Sequence, residues 1–254
     1  MENRISASQI GQFLFCPLSY KYCYIDGDKD NTGNEYTAYG SAIHGALSEN
    51  YNYKINNKKD YPAEVVVKKF LKMFWYEIKT ATIKYTDPKS LAIIGENVLI
   101  NYMEQVAPNI KPKFVEHEFK IQMKKYPIII HGFIDLITED GWIIDHKTVG
   151  KTFKRDWNQK TVDESMQLTW YSLAYRKQFK KKEKGVRLDL LPRDNKPEFT
   201  SLTSVRTDKE ILHILELANK IQKVKEIGVY LPNVSNCSKY CPYVGKCPKL
   251  PIGV

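Results

Sequence analysis

The spacing of apolar residues changes once along this chain, near residue 110. Before that point apolar side chains recur every three or four positions. Ile10, Phe13 and Leu14 follow Ser6-Ala-Ser-Gln9, and Val66, Phe70, Met73 and Phe74 follow Pro62. That period predicts amphipathic helices. Ser6 with Gln9 reads as a capping box, and Cys16-Pro17 ends that first helix because the residue before proline disfavours the helical region. A second helix is predicted from Tyr36 to about Tyr53, a third opens at Pro62, and a fourth runs from Asp87-Pro88 to Pro108. Beyond it, Phe114–Met123, Ile128–Ile137 and Trp142–Thr148 read as three sequential strands. Asp140-Gly141 between the last two is a hairpin signal, since glycine tolerates the positive φ of such turns. A helix over Asp163–Phe179 follows, then strands at Val186–Leu191 and Thr200–Val205. Thr207–Lys225 is amphipathic, with Ile211, Ile214, Leu215, Ala218 and Ile221 inward.

This order predicts an α/β fold: a central mixed β-sheet flanked by helices. With no internal repeat and no long linker, residues 1–254 read as a single domain. Its parts are a helical region over 1–110, a sheet core over 111–206, and a helix with an irregular tail over 207–254.

Composition narrows the function classes. No run of 18 apolar residues exists and the N-terminus lacks the apolar block of a signal peptide, so a soluble cytoplasmic protein without a membrane partner is expected. Lysine, asparagine and isoleucine richness suggests an AT-rich bacterial or phage genome. The balance of 39 Lys+Arg against 29 Asp+Glu, a formal charge of +10, favours a polyanionic partner. Five cysteines are present, three of them within Cys237–Cys247. In a cytosolic chain such crowding points to metal rather than to disulfides.

The chemistry concentrates between Ile128 and Lys147. Asp135 interrupts one buried-type strand, and Asp145 with Lys147 closes the next. A buried carboxylate is normally paired or metal-bound, because leaving it alone costs several kcal/mol. Residues 145 and 147 share a strand face, and the hairpin can bring Asp135 alongside. The convergence suits a divalent cation; the plainer alternative is a structural ion pair between Asp145 and Lys147.

Gly132-Phe-Ile-Asp135 followed by Asp145-His-Lys147 resembles the core motif of the PD-(D/E)xK nucleases, most closely their RecB-like branch with the Cas4- and AddB-type proteins. The resemblance extends from Cys16 to Cys247. It implies a restriction-endonuclease-like core in which Asp135 and Asp145 hold Mg²⁺ or Mn²⁺, joined by the backbone carbonyl of His146. Lys147 would position water and stabilise the developing oxyanion. Gly40-Ser-Ala-Ile-His44 is similar to the family's Gly-x-x-x-His, which implies His44 as a metal ligand. Gln167-Leu-Thr-Trp-Tyr171 is similar to its Gln-x-x-x-Tyr, which implies Gln167 and Tyr171 over the catalytic groups. Glu118 stands where many relatives carry an additional acid; Glu116 shares its strand face.

Cys237-x₃-Cys241-x₅-Cys247, with Cys16 far upstream, resembles the iron–sulfur clasp of that branch. The first gap departs from the family's x₂, which keeps zinc open as the alternative to a [4Fe–4S] cluster. Cys23 is either a free thiol or the fourth ligand in place of Cys16. The loop Lys151, Lys154, Arg155, Trp157 and Lys160, with Phe153, could meet phosphates and stack on bases, or be an ordinary solvated loop.

The resemblance thus implies a metal-dependent DNA exonuclease working on single strands or duplex ends in recombination, repair or phage replication. Any unwinding would come from a helicase or recombination partner. A Cas4-like role in CRISPR adaptation and a non-catalytic zinc-stapled DNA-binding module are the alternatives.

Overall fold

The computed structural model describes residues 3–28, 33–233, 235 and 241–247. The chain forms two compact units, one from Met1–Asn31, Lys120–Gly132 and Asp208–Val254, the other from Thr32–Phe119 and Phe133–Thr207.

In the first unit, Ser6 opens α1 (Ala7–Phe15) with the expected capping box: Ser6 Oγ accepts the Gln9 N–H at 3.2 Å and Gln9 Oε1 accepts the Ser6 N–H at 3.1 Å. Cys16 is extended, which ends the helix ahead of Pro17. Pro17 then starts the short α2 (Pro17–Tyr20), and a π-helical turn follows at Lys21–Ile25. A two-residue strand, β1 (Arg4–Ile5), runs parallel to the start of β3 (Ile129–Thr138), with Arg4 beside Ile129 and Ile5 beside Ile130. Such a short strand has no period to read. The last helix of the chain, Asp208–Ile227, buries Ile211, Ile214, Leu215, Ala218 and Ile221, as their spacing predicts.

The second unit begins with three helices, α3 (Glu35–Asn57), α4 (Ala63–Glu77) and α5 (Pro88–Gln105). Tyr39, Ile43 and Leu47 of α3 share one apolar core with Phe70 and Phe74 of α4 and Leu99 and Tyr102 of α5. The α4–α5 contact is close at Gly95, where a Cβ would run into the buried ring of Phe70. Gly95→Ala is therefore expected to destabilise the protein by about 1–2 kcal/mol, overpacking outweighing the better helix propensity of alanine. A urea midpoint equal to or above wild type would refute this.

A mixed sheet follows, on which β2 (Pro112–Gln122) pairs with β3. β4 (Trp142–Val149) is antiparallel to β3 and parallel to β5 (Gly185–Pro192), and β5 is antiparallel to β6 (Thr200–Ser204). Gly141 takes the left-handed φ of +91° that the β3–β4 turn requires. The β4–β5 crossover holds two helices, α6 (Gln159–Asp163) and α7 (Met166–Phe179), where the apolar period suggested one. Ser165 separates them because its hydroxyl accepts the Leu168 N–H at 3.3 Å and caps α7. Strand alternation divides β4 between two faces. Ile144 and His146 look toward α3 and α5, whereas Lys147 looks toward α7. The final helix Asp208–Ile227 is α8, and among the described residues no helix is long and apolar enough to cross a membrane.

Candidate active site

The site lies in the second unit, where the β3–β4 ladder ends. Leu136 pairs with Ile144 and Ile137 with Ile143. Beyond them the His146 N–H donates at 3.0 Å to Oδ2 of Asp135, so a side chain takes up a backbone donor. The same oxygen lies 3.3 Å from Nδ1 of His44, which α3 supplies. Burial disfavours the charged form of Asp135, but the bond and charge of His44 outweigh it and hold the carboxyl below its ordinary range. His44 shifts the opposite way: burial pushes it down, and Asp135 more than restores it, leaving a raised pKa.

Asp145 is fully buried. Among the described residues its contact is the ammonium of Lys147, 2.8 Å from Oδ2, and neither carboxylate oxygen receives a well-formed hydrogen bond. Burial first, and the charge of Asp135 second, push its carboxyl up to about 6. A buried carboxylate left this poorly satisfied costs stability unless something cationic completes it. Lys147 in turn donates to Gln167 Oε1 at 3.0 Å, and Gln167 Nε2 donates to the Tyr171 hydroxyl at 2.7 Å. One turn of α7 separates Gln167 from Tyr171, so both reach the same side of the sheet. Burial, then the charges of Asp145 and Asp135, raise the Tyr171 phenol, which stays neutral.

Ligand atoms of His44, Glu116 and Asp135 lie within 4.8 Å of one another. Glu116 is thus the acid gathered here, and Glu118 is not in the group. The reason is local: Glu116 has a φ of +45°, which breaks the regular alternation of β2. Nothing in a run of alternating acids announces that kink.

The imidazole of His146 lies between this cluster and α5: its Nδ1 is 4.0 Å from Asp135 Oδ2 and its ring meets that of His44 edge-on, 6.1 Å between centroids. It is buried, its Nε2 is 3.1 Å from the Tyr102 hydroxyl, and that hydroxyl is 2.9 Å from the hydroxyl of Tyr51. Burial lowers its pKa to about 4, so it is neutral at pH 7. This Tyr51–Tyr102–His146 chain backs the backbone N–H that holds Asp135. The sequence shows it only as aromatic residues on helix faces.

In the loop after β4, Phe153 is buried. Lys151 pairs with Asp194 at 3.1 Å, Arg155 with Asp156 at 3.1 Å and Lys160 with Glu164 at 3.8 Å, while Trp157 is half-buried. The Lys154 side chain lies outside the described structure.

Cys237 also lies outside the described residues. Cys16 is buried, and its sulfur accepts the Asn233 N–H at 3.4 Å. The Cys241–Cys247 turn is joined to the N-terminal segment in the same unit. Tyr243 donates to Asp28 O at 2.7 Å and packs on Tyr22, and Lys246 lies over the Tyr22 ring at 4.5 Å.

The mixed sheet thus carries two carboxylates and a lysine at one hairpin, with a helical histidine beside them. The chain belongs to the PD-(D/E)XK nuclease superfamily, whose family model matches residues 4–248. Among solved structures it is similar to a candidate exonuclease from Eubacterium rectale, at 12% identity and a TM-score of 0.57 over 95% of this chain and 88% of that one. A second structure, of SSO0001, superposes with a TM-score of 0.44 at 12% identity, over 98% of this chain and 87% of that one. At 12% identity the likeness to the Eubacterium rectale protein is one of fold. No curated protein sequence matches the chain.

Proposed function

We propose that this protein is a divalent-metal-dependent deoxyribonuclease of the RecB-like branch, acting from DNA ends. The observation that carries the reading is Asp145: fully buried, short of hydrogen bonds, and facing Lys147 across 2.8 Å. The donor set fits a cation. Carboxylates suit hard Mg²⁺, and one imidazole is well tolerated by Mn²⁺. Asp135, Asp145, His44 and Glu116 would hold it, together with the His146 carbonyl. A cation there supplies charge against the phosphate and makes water more acidic.

The chain's own residues supply the rest. Lys147 offers its ammonium to the attacking water and to the oxygen on which charge develops. Gln167 fixes that ammonium through Oε1. Tyr171, accepting from the amide nitrogen, sets which end of the amide faces Lys147. His44 orients Asp135, and the neutral His146 with its tyrosines keeps the supporting backbone in place.

The test uses anaerobically purified protein and end-labelled single- and double-stranded DNA. Products are expected with Mg²⁺ or Mn²⁺ and none in EDTA, the first label lost giving the polarity. No products with either ion, with DNA still bound, would favour the binding-module reading. His44→Ala is expected to raise the Mn²⁺ concentration for half-maximal cleavage by about 10- to 100-fold.

We also infer that Cys16, Cys237, Cys241 and Cys247 clasp the two ends of the chain around a [4Fe–4S] cluster, with zinc as the rival. The contacts that seat the Cys241–Cys247 turn on the Tyr22 and Asp28 segment support it. Iron and zinc analysis of the purified protein decides between the metals, and absence of both would sink the clasp.

A further inference from the structure

A stack of three side chains, Arg193, Tyr36 and Tyr85, sits at the start of the helix that supplies His44, and the chemistry above does not use it. Tyr36, Gly40 and His44 are four residues apart and share one face of α3. At Gly40 a Cβ would lie 3.2 Å from the hydroxyl of Thr148, the residue after Lys147. One turn earlier, Tyr36 carries the Arg193 guanidinium over its ring at 4.3 Å. The Tyr85 ring lies nearly parallel to the Tyr36 ring, 5.7 Å away with 2° between the planes. Arg193 is fixed beside the end of the catalytic strand, where its N–H donates to Val149 O at 2.8 Å.

The loop bearing Tyr85 is built, not incidental. Glu35 is fully buried, and its carboxylate accepts the backbone N–H groups of Lys84, Tyr85 and Thr86 at 3.0, 2.6 and 2.8 Å. Those bonds outweigh the burial and lower its pKa, so it is charged at neutral pH. Tyr36 adds a bond from its hydroxyl to Thr86 Oγ1 at 2.7 Å. Yet the residue so carefully placed, Tyr85, is 59% exposed, between exposed Lys84 and the Asp87 helix cap. A loop held only for packing would turn that ring inward. Among the described residues no carboxylate pairs with Arg193, and neighbouring Asp194 is taken by Lys151 at 3.1 Å.

We propose that Arg193, Tyr36 and Tyr85 form a platform for an unpaired DNA strand leading away from the scissile phosphate. The proposal rests on the nuclease reading above and adds where the strand runs. Exposed aromatic faces with unpaired cations are what a single strand requires: a base stacks on Tyr85, and Arg193 meets a phosphate. Eight residues of helix separate Tyr36 from His44, about 12 Å. At the roughly 3.4 Å rise of a stacked strand, that is about three to four nucleotides from the metal-binding carboxylates.

The test is binding of a fluorescent 20-nucleotide oligo-dT in EDTA, beside a blunt duplex, with Mg²⁺ and Mn²⁺ cleavage assays on the same preparations. Tyr85→Ala is expected to weaken oligo-dT binding by about 5- to 100-fold. Tyr85→Phe should bind like wild type, and duplex binding should barely change. Arg193→Ala should lower the slope of log K on log salt by about 0.7. Thermal melts equal to wild type show that the variants fold. Unchanged oligo-dT binding by folded Tyr85→Ala, while the wild type cleaves, overturns the platform and leaves the nuclease reading standing. Binding that drops in Tyr85→Ala without any cleavage by wild type keeps the platform and sinks the nuclease. A wild type that neither binds nor cleaves overturns both.

Discussion

Asp145→Asn is expected to cut metal-dependent cleavage by more than about a hundredfold while leaving the metal-free protein more stable than wild type at pH 8. The first half follows from chemistry, since loss of partners around a metal already costs 10- to 100-fold and Asp145 would be a ligand itself. The second half follows from burial. Asp145 is fully buried, and its carboxyl is pushed from 3.8 to about 6 by desolvation and by Asp135. A carboxyl whose folded pKa is raised favours the folded state most at low pH. That contribution fades as pH rises from the unfolded value through about 6. At pH 8 the metal-free native state therefore bears a cost on the order of 2 kcal/mol, which the neutral amide does not. Asparagine has nearly the same shape, so packing is kept. In EDTA the variant's melting point should exceed wild type by roughly 4–8 °C at pH 8 and by much less at pH 4. Added Mn²⁺ should raise the wild-type value and leave the variant unmoved. A variant that melts below wild type at pH 8, or cleaves normally, would show that Asp145 is an ordinary half of a structural ion pair.

The largest loss of stability is expected at Arg206, which the sequence does not distinguish from any other arginine. Its side chain is 4% exposed. Nε donates to Thr169 Oγ1 at 2.8 Å, Nη1 to Ser204 Oγ at 2.9 Å, and Nη2 to Val162 O at 2.6 Å and Ser165 O at 3.4 Å. Those carbonyls belong to the break between α6 and α7, where Val162 O also accepts the Ser165 N–H at 3.3 Å and Ser165 O the Thr169 N–H at 3.1 Å, so the guanidinium ties the end of one helix to the start of the next. Arg206→Met preserves much of the volume but removes all of these charge-assisted hydrogen bonds at once. About 3 kcal/mol or more should be lost, or about 6–12 °C in melting point. Gln167 begins the helix anchored there, so cleavage should also slow at temperatures where the variant remains folded. Urea unfolding measures the first effect; a midpoint within about 1 kcal/mol of wild type would refute the anchoring role.

These two residues mark how far the sequence could be read. Asp145 was legible because a charge closing an apolar run is physically expensive, and the cost itself advertises a function. Asp135 and Lys147 stand out at the hairpin, and His44, Gln167 and Tyr171 through the resemblance to the nuclease motifs; the structure pairs His44 with Asp135 and links Asp145, Lys147, Gln167 and Tyr171 in a second chain of contacts. Spacing does not separate Glu116 from Glu118, because alternation puts both on one face and only the left-handed backbone at Glu116 sets them apart. The break at Ser165 is hidden in the sequence for a related reason. Apolar residues continue in helical register across it, and a serine can cap a helix or sit within one.

Local physics therefore determined the α/β order, the hairpin, the capping box at Ser6 and the residues able to carry charge at the site. Each depends on neighbours a few positions apart, through periodicity, turn geometry or the cost of burial. Tertiary structure alone decided which acid joins His44 and Asp135, that the His146 ring faces Tyr102 and Tyr51, and that Arg206 serves the α6–α7 break. It also placed Arg193 over Tyr36 and Tyr36 beside Tyr85. Those partners lie tens to more than a hundred residues apart along the chain, and no interaction between near neighbours encodes which distant groups will meet once the sheet has closed.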